Sequence, residues 1–152
     1  NPLENIYPEF KSFFNIYNDN IKLRKNQNIH FELGRSIVGQ CGFLISRVLF
    51  EKESFNNHFL ILDSGMNNLI RPALYNASHK IINISSSISS IKNYNIVGPL
   101  CESSDTFAEN YPLIESKRGD MISICSAGAY GESMSSNYNL REDIKSYFSD
   151  TI

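Results

Sequence analysis

The stretch Phe43-Leu44-Ile45-Ser46-Arg47-Val48-Leu49-Phe50-Glu51-Lys52, residues 43–52, decides the fold. Phe43, Ile45 and Arg47 fall on one face of an extended chain, and Leu44, Val48 and Phe50 near the other, which is the period of a strand. Residues 53–57 are polar and read as a hairpin loop, and residues 58–62 as the return strand. A hairpin of this length needs further strands to cover its apolar face.

Working outward, the chain supplies them. Residues 63–68 form a polar, Gly-containing loop that leads into Leu69-Ile70-Arg71-Pro72-Ala73-Leu74-Tyr75. Residues 80–84 read as a β-branched strand, 85–90 as a Ser-rich exposed turn, and 94–97 as a strand stopped by Gly98-Pro99. Ser103 or Ser104 is expected to cap a short helix through Asn110, which Tyr111-Pro112 ends. Arg118-Gly119-Asp120 is a turn, residues 121–125 a strand, and Ser126-Ala127-Gly128-Ala129-Tyr130-Gly131 a loop of small residues apart from its tyrosine. Upstream, Leu3, Ile6, Phe10, Phe13, Phe14, Tyr17 and Ile21 recur at helical spacing within residues 3–24, with the helix proper starting near Pro8. A short strand is expected at 29–32, a helical turn at 36–40, and an amphipathic helix in the tail, 140–152. Many short strands behind one helix predict a mainly β fold, a sandwich or barrel with a helical appendage.

The chain has 152 residues, enough for one domain with a sizeable core, and a net charge of −2 with 41% hydrophobic residues. That balance points to neither a nucleic acid nor a membrane as partner. Cys41, Cys101 and Cys125 are odd in number and widely spaced, so neither a disulfide framework nor a zinc site is expected, and a reducing cytoplasm suits them. The first residues, Asn1-Pro2-Leu3, carry no Met and no targeting pattern, so the chain is expected to be a processed or cut piece.

Four places carry chemistry, and each has an ordinary alternative. Glu32-Leu33-Gly34-Arg35 offers a carboxylate, a backbone open to close approach and a guanidinium suited to phosphate or carboxylate, or else a turn with a surface ion pair. Arg71 and Tyr75 are four apart, and Pro72 requires Arg71 at a helix start. They can hold a carboxylate between cation and phenol, or pack an amphipathic turn. Tyr130 stands between Gly128-Ala129 and Gly131, facing a ligand or anchoring the loop; Met134, Tyr138 and Asn139 share that ambiguity. Cys101-Glu102 follows the Gly98-Pro99 break: the thiol can donate or accept a proton and the two side chains, pointing apart, can contact different ends of one ligand, or Cys101 is a small apolar residue before a capped turn. His30, His58 and His79 lack metal-ligand spacing.

Taken in order, Glu32–Arg35, residues 63–75 (DSGMNNLIRPALY), residues 97–105 (VGPLCESSD), Gly119-Asp120, residues 126–131 (SAGAYG) and residues 134–139 (MSSNYN) form a series. That series resembles the C-terminal part of the diaminopimelate decarboxylase family, among the fold-type III pyridoxal-phosphate decarboxylases. The resemblance covers roughly residues 28–139 and implies a homodimer whose (β/α)8 barrel precedes a β-domain, with active sites shared between subunits. Residues 1–35 would be the last helix and strand of the barrel, 36–139 the C-terminal β-domain, and 140–152 a divergent tail.

By position, the resemblance implies that Glu32 lies against the pyridine nitrogen of pyridoxal 5'-phosphate, and Gly34 and Arg35 near its phosphate. Arg35, Arg71 and Tyr75 would meet the substrate, Tyr130 both cofactor and substrate. Cys101 would donate the proton and Glu102 read the distal amino group. The implied reaction is decarboxylation of meso-2,6-diaminopimelate to L-lysine and CO2. Leu33 stands where the family has Pro, and Ser104 where it has Gly. The barrel, its Schiff-base lysine and its Gly-rich phosphate loop lie outside these 152 residues, so the chain alone is expected to be inactive. A non-catalytic relic or regulatory subunit that keeps the dimer interface, and a decarboxylase for a related diamino acid, are the alternatives.

Overall fold

A computed structural model describes residues 9–149. Six strands form one sheet: β1 (Phe43–Ser54), β2 (Asn57–Leu62), β3 (Ile81–Asn83), β4 (Ile91–Val97), β5 (Thr106–Ile114) and β6 (Met121–Cys125), in the spatial order β3-β6-β1-β2-β4-β5. All neighbours are antiparallel except β2 and β4, which run parallel. The sheet curls until its two edges meet, so the fold is a nearly closed barrel. Tyr111 on β5 accepts a hydrogen bond from the Ile81 N–H on β3 at 2.9 Å and links the two edge strands.

The alternation read in β1 is real, with one shift. Leu44, Ser46 and Val48 point inward, and pairing with β2 slips between Val48 and Phe50. Phe50, expected near the inner face, is therefore exposed and lies under the Arg118 guanidinium, 5.2 Å from its ring centroid. Leu60, Leu62, Tyr94, Ile96, Ile122 and Ile124 are fully enclosed with Val48. Each such side chain contributes about 1.5–3 kcal/mol by leaving water. Tyr94 keeps its hydroxyl satisfied inside, accepting from the Ser116 N–H at 3.1 Å.

Three expectations are corrected. Residues 106–114 are the edge strand β5 and not a helix; Pro112 is tolerated because an edge strand leaves one side of its backbone unpaired. Residues 29–32 form no strand, because no strand among the described residues pairs with them; Phe31 packs edge-on against Phe14 and Tyr17, both at 4.9 Å. The tail is not helical over 141–148: Arg141 donates to the Asp63 carbonyl at 2.8 Å, Asn137 bridges the Arg141 carbonyl and Asp143, and Ile144 packs on the core.

Helix α1 (Phe10–Asn20) buries no residue, and Phe13 and Ile16 stay exposed. Leu3, Ile6 and Pro8 lie outside the described residues. Two single-turn helices, α2 (Arg35–Val38) and α3 (Arg71–Tyr75), carry the arginines singled out above. No helix among the described residues is long and apolar enough to cross a membrane.

Candidate active site

Gly34 precedes α2 with φ 54°, ψ −123°, a conformation open to glycine and strained for other residues. A Cβ at that position would sit 3.0 Å from the Tyr130 hydroxyl, so the phenol and the Gly34 backbone face each other across a narrow gap. Tyr130 is brought there by its loop, which docks on the turn between α2 and β1: Gly128 N–H donates to the Gly39 carbonyl at 3.0 Å, and Ala127 N–H to that of Gly42 at 2.9 Å. Tyr130 itself has φ 53° and is half exposed. Glu32 and Arg35 are exposed beside this junction.

Arg71 opens α3 with Pro72 behind it, as the spacing required, and only 9% of it is accessible. Its guanidinium carbon lies 5.3 Å from the centre of the exposed Tyr75 ring. Among the described residues no carboxylate pairs with Arg71, and its Nε is buried without a hydrogen-bond partner. A buried guanidinium with an unused donor is costly, and an anion docking there relieves the cost.

His79, which spacing alone gave no reason to single out, belongs to the same neighbourhood. Its Nδ1 lies 2.8 Å from the Cys125 carbonyl, which can only accept, so Nδ1 carries the proton and Nε2 the lone pair. Burial lowers its pKa; the Cys125 bond opposes this, and the charges of Arg71 and Arg35 lower it further. The ring is therefore neutral near pH 7, and its Nε2 is buried without a partner. One guanidinium donor and one imidazole acceptor, both buried, lack partners on this side of the molecule.

Cys101 and Glu102 occupy a different setting. Both are exposed on the loop between β4 and β5, which the Gly98 N–H closes onto the Asp105 carbonyl at 2.9 Å. Glu102 accepts a long hydrogen bond from the Tyr138 hydroxyl at 3.4 Å. The segment carrying Tyr138 is tied to the loop before α3, where Ser136 N–H donates to the Asn67 carbonyl at 2.8 Å. No hydrogen bond or ion pair among the described residues joins Cys101 or Glu102 to Arg35, Arg71 or Tyr130. Nor does any group of His, Cys, Asp and Glu among them offer a metal site.

This arrangement has relatives. Residues 14–128 match the family model described as the pyridoxal-dependent decarboxylase, C-terminal sheet domain. The chain belongs to that family. A diaminopimelate decarboxylase of Bacteroides thetaiotaomicron is 54% identical over 145 residues, covering 95% of this chain and 37% of the relative. Among solved structures, a diaminopimelate decarboxylase from M. jannaschii in co-complex with L-lysine matches with a TM-score of 0.74 and 37% identity, over 86% of this chain and 29% of that one. One from Helicobacter pylori, complexed with L-lysine, matches with a TM-score of 0.66 and 51% identity, over 71% and 26%. The chain thus spans just over a third of the length of the Bacteroides relative.

Within this sheet domain, two further side chains matter besides those given a role from sequence. One is His79. The other is Asp105, which closes the 97–105 motif but reads locally only as part of a capped turn; its burial is visible in the fold alone. A signal was present for Asp105, since Gly65 and Gly98 mark backbone that must approach something closely.

Proposed function

We propose that this chain is the C-terminal portion of a pyridoxal-phosphate-dependent decarboxylase that converts meso-2,6-diaminopimelate to L-lysine and CO2. The reaction would need the barrel half and its lysine, joined or supplied in complex. The observation that carries the reading is Arg71: buried, charged, unpaired and set at a helix start beside Tyr75, it is a prepared receptor for a substrate carboxylate.

The residues present fit the cofactor. Gly34 leaves a cradle that a Cβ would fill, with the Tyr130 hydroxyl on its far side and the Arg35 guanidinium next in sequence. Gly34 and Arg35 would hold the phosphate, Tyr130 would reach cofactor and substrate, and Glu32 would keep the pyridine nitrogen protonated. When bound, pyridoxal phosphate supplies the electron sink that loss of CO2 requires. Cys101 would then return a proton to the α-carbon, and Glu102 would accept hydrogen bonds from the distal ammonium group. The exposure of Cys101 and Glu102, with no hydrogen bond or ion pair joining them to Arg71 or Tyr130 among the described residues, supports a homodimer in which they serve the partner's site. Three free cysteines suit a cytoplasmic enzyme.

The test is to combine the chain with the barrel half of a diaminopimelate decarboxylase and measure CO2 release from meso-diaminopimelate. Release that needs both halves is expected. Cofactor binding without release would contradict the reading and favour a non-catalytic subunit. Release only from another diamino acid would reassign the substrate.

A further inference from the structure

The Asp105 carboxylate is 3% exposed and lies between two loops. One oxygen accepts the Met66 N–H at 2.6 Å, from the loop that ends at Arg71, and the other accepts the Leu100 N–H at 2.8 Å, beside Cys101. The same residue's backbone brackets the Cys101 loop from inside, donating to the Glu102 carbonyl at 3.1 Å and accepting from Gly98. A Cβ on Gly98 would collide with a carboxylate oxygen, and one on Gly65 would fall 2.9 Å from one, so the backbone on both sides is cleared for this side chain. The Ser104 hydroxyl adds a second link between the loops, to the Met66 sulfur at 3.3 Å. Burial raises the carboxyl's pKa, with the two backbone N–H groups opposing, so keeping it ionised costs stability.

We infer that Asp105 is a positioning residue: it fixes the Cys101–Glu102 loop to the loop that ends at Arg71, and so sets where the proton donor and the distal-amine receptor stand. This rests on the function proposed above and adds a residue to it. Because both oxygens accept backbone N–H groups, asparagine cannot replace the aspartate: its amide NH2 would face one of the two donors. The tie also joins a segment ending at one subunit's Arg71 to the loop that subunit lends to its partner.

Hydrogen exchange in the 152-residue chain reads the tie without any chemistry. In the wild type, the Met66 and Leu100 amides should be protected and open together, with rates that agree within about threefold after correction for intrinsic exchange. In Asp105→Asn both should exchange at least tenfold faster, while the amides of Ile96 and Ile122 hold. Leu100 exchanging like a free loop amide in the wild type would overturn the proposal, and that observation needs no variant to fold. With the barrel half added, Asp105→Asn should lower kcat at least tenfold with cofactor absorbance unchanged. Faster exchange with kcat held within twofold would reduce Asp105 to a purely structural tie and sink the positioning role. An inactive wild-type assembly would instead strike the proposed function and leave the exchange result standing.

Discussion

Arg71 and Cys101 are the two poles of the candidate site, and the fold treats them in opposite ways. Arg71 is enclosed at the start of a helix with an unsatisfied donor, near a neutral histidine that has an unsatisfied acceptor. Cys101 is exposed on a loop whose base is stitched by backbone hydrogen bonds. The difference teaches what each pole is prepared for. On the proposed function, the enclosed pole has already incurred the desolvation cost of binding an anion, whereas the exposed pole would acquire its environment from the subunit that covers it.

That contrast can be broken by substitution. The largest effect is expected at the exposed pole: Cys101→Ala should lower kcat of the assembled enzyme by about 10²–10⁴, the span of a positioned general acid. Its unfolding free energy should stay within about 0.5 kcal/mol of wild type, as for other exposed sites. A matching loss of cofactor binding would contradict the proton-donor role.

At the enclosed pole the two readouts should part in the other direction. Arg71→Met should raise KM by about 10- to 100-fold, the worth of one or two charged hydrogen bonds. It should also stabilise the chain by about 1 kcal/mol or more in urea unfolding, since an unpaired buried charge is gone. A destabilised variant with unchanged KM would make Arg71 an ordinary structural residue.

The smallest effect concerns His79. Its pKa is depressed by burial, so below the unfolded value of about 6.5 the unfolded chain takes up a proton that the folded chain refuses. The stability tied to its neutral form is whole above that value and lost as pH falls through the depressed one. His79→Asn should flatten the decline in urea stability on going from about pH 7 to about pH 5. An unaltered decline would assign the acid sensitivity elsewhere.

Much of this was legible in the chain because the deciding signals are local. The alternation of residues 43–52, the return strand and the strand at 121–125 stand almost where the periodicity put them. Pro72 fixed Arg71 at a helix start for a reason of backbone geometry that no distant contact can alter. Strand β5 was illegible because Ser103, Ser104 and Pro112 signal a capped helix to a local reader. That Pro112 lies on an edge, with Asn110 at φ 46° disturbing the alternation, is known only once the sheet is assembled. The tail failed likewise, since the Asp63 carbonyl that holds Arg141 lies 78 residues away in sequence. The Arg35, Arg71 and Tyr130 motifs were visible one by one. That His79 lies within the field of both arginines follows from three segments packing together.

The claim that the two poles serve different subunits' sites has a direct test. Assembled enzyme carrying Cys101→Ala is mixed with enzyme carrying Arg71→Ala, each with a few per cent or less of wild-type activity at substrate well below KM, and activity at that substrate level is measured after subunit exchange. With sites shared across a two-fold interface, each hybrid dimer has one site with both changes and one with neither, so roughly a quarter of wild-type activity should return. No recovery, with hybrid dimers formed, would mean that Cys101 and Arg71 act in the same subunit's site and would contradict the account.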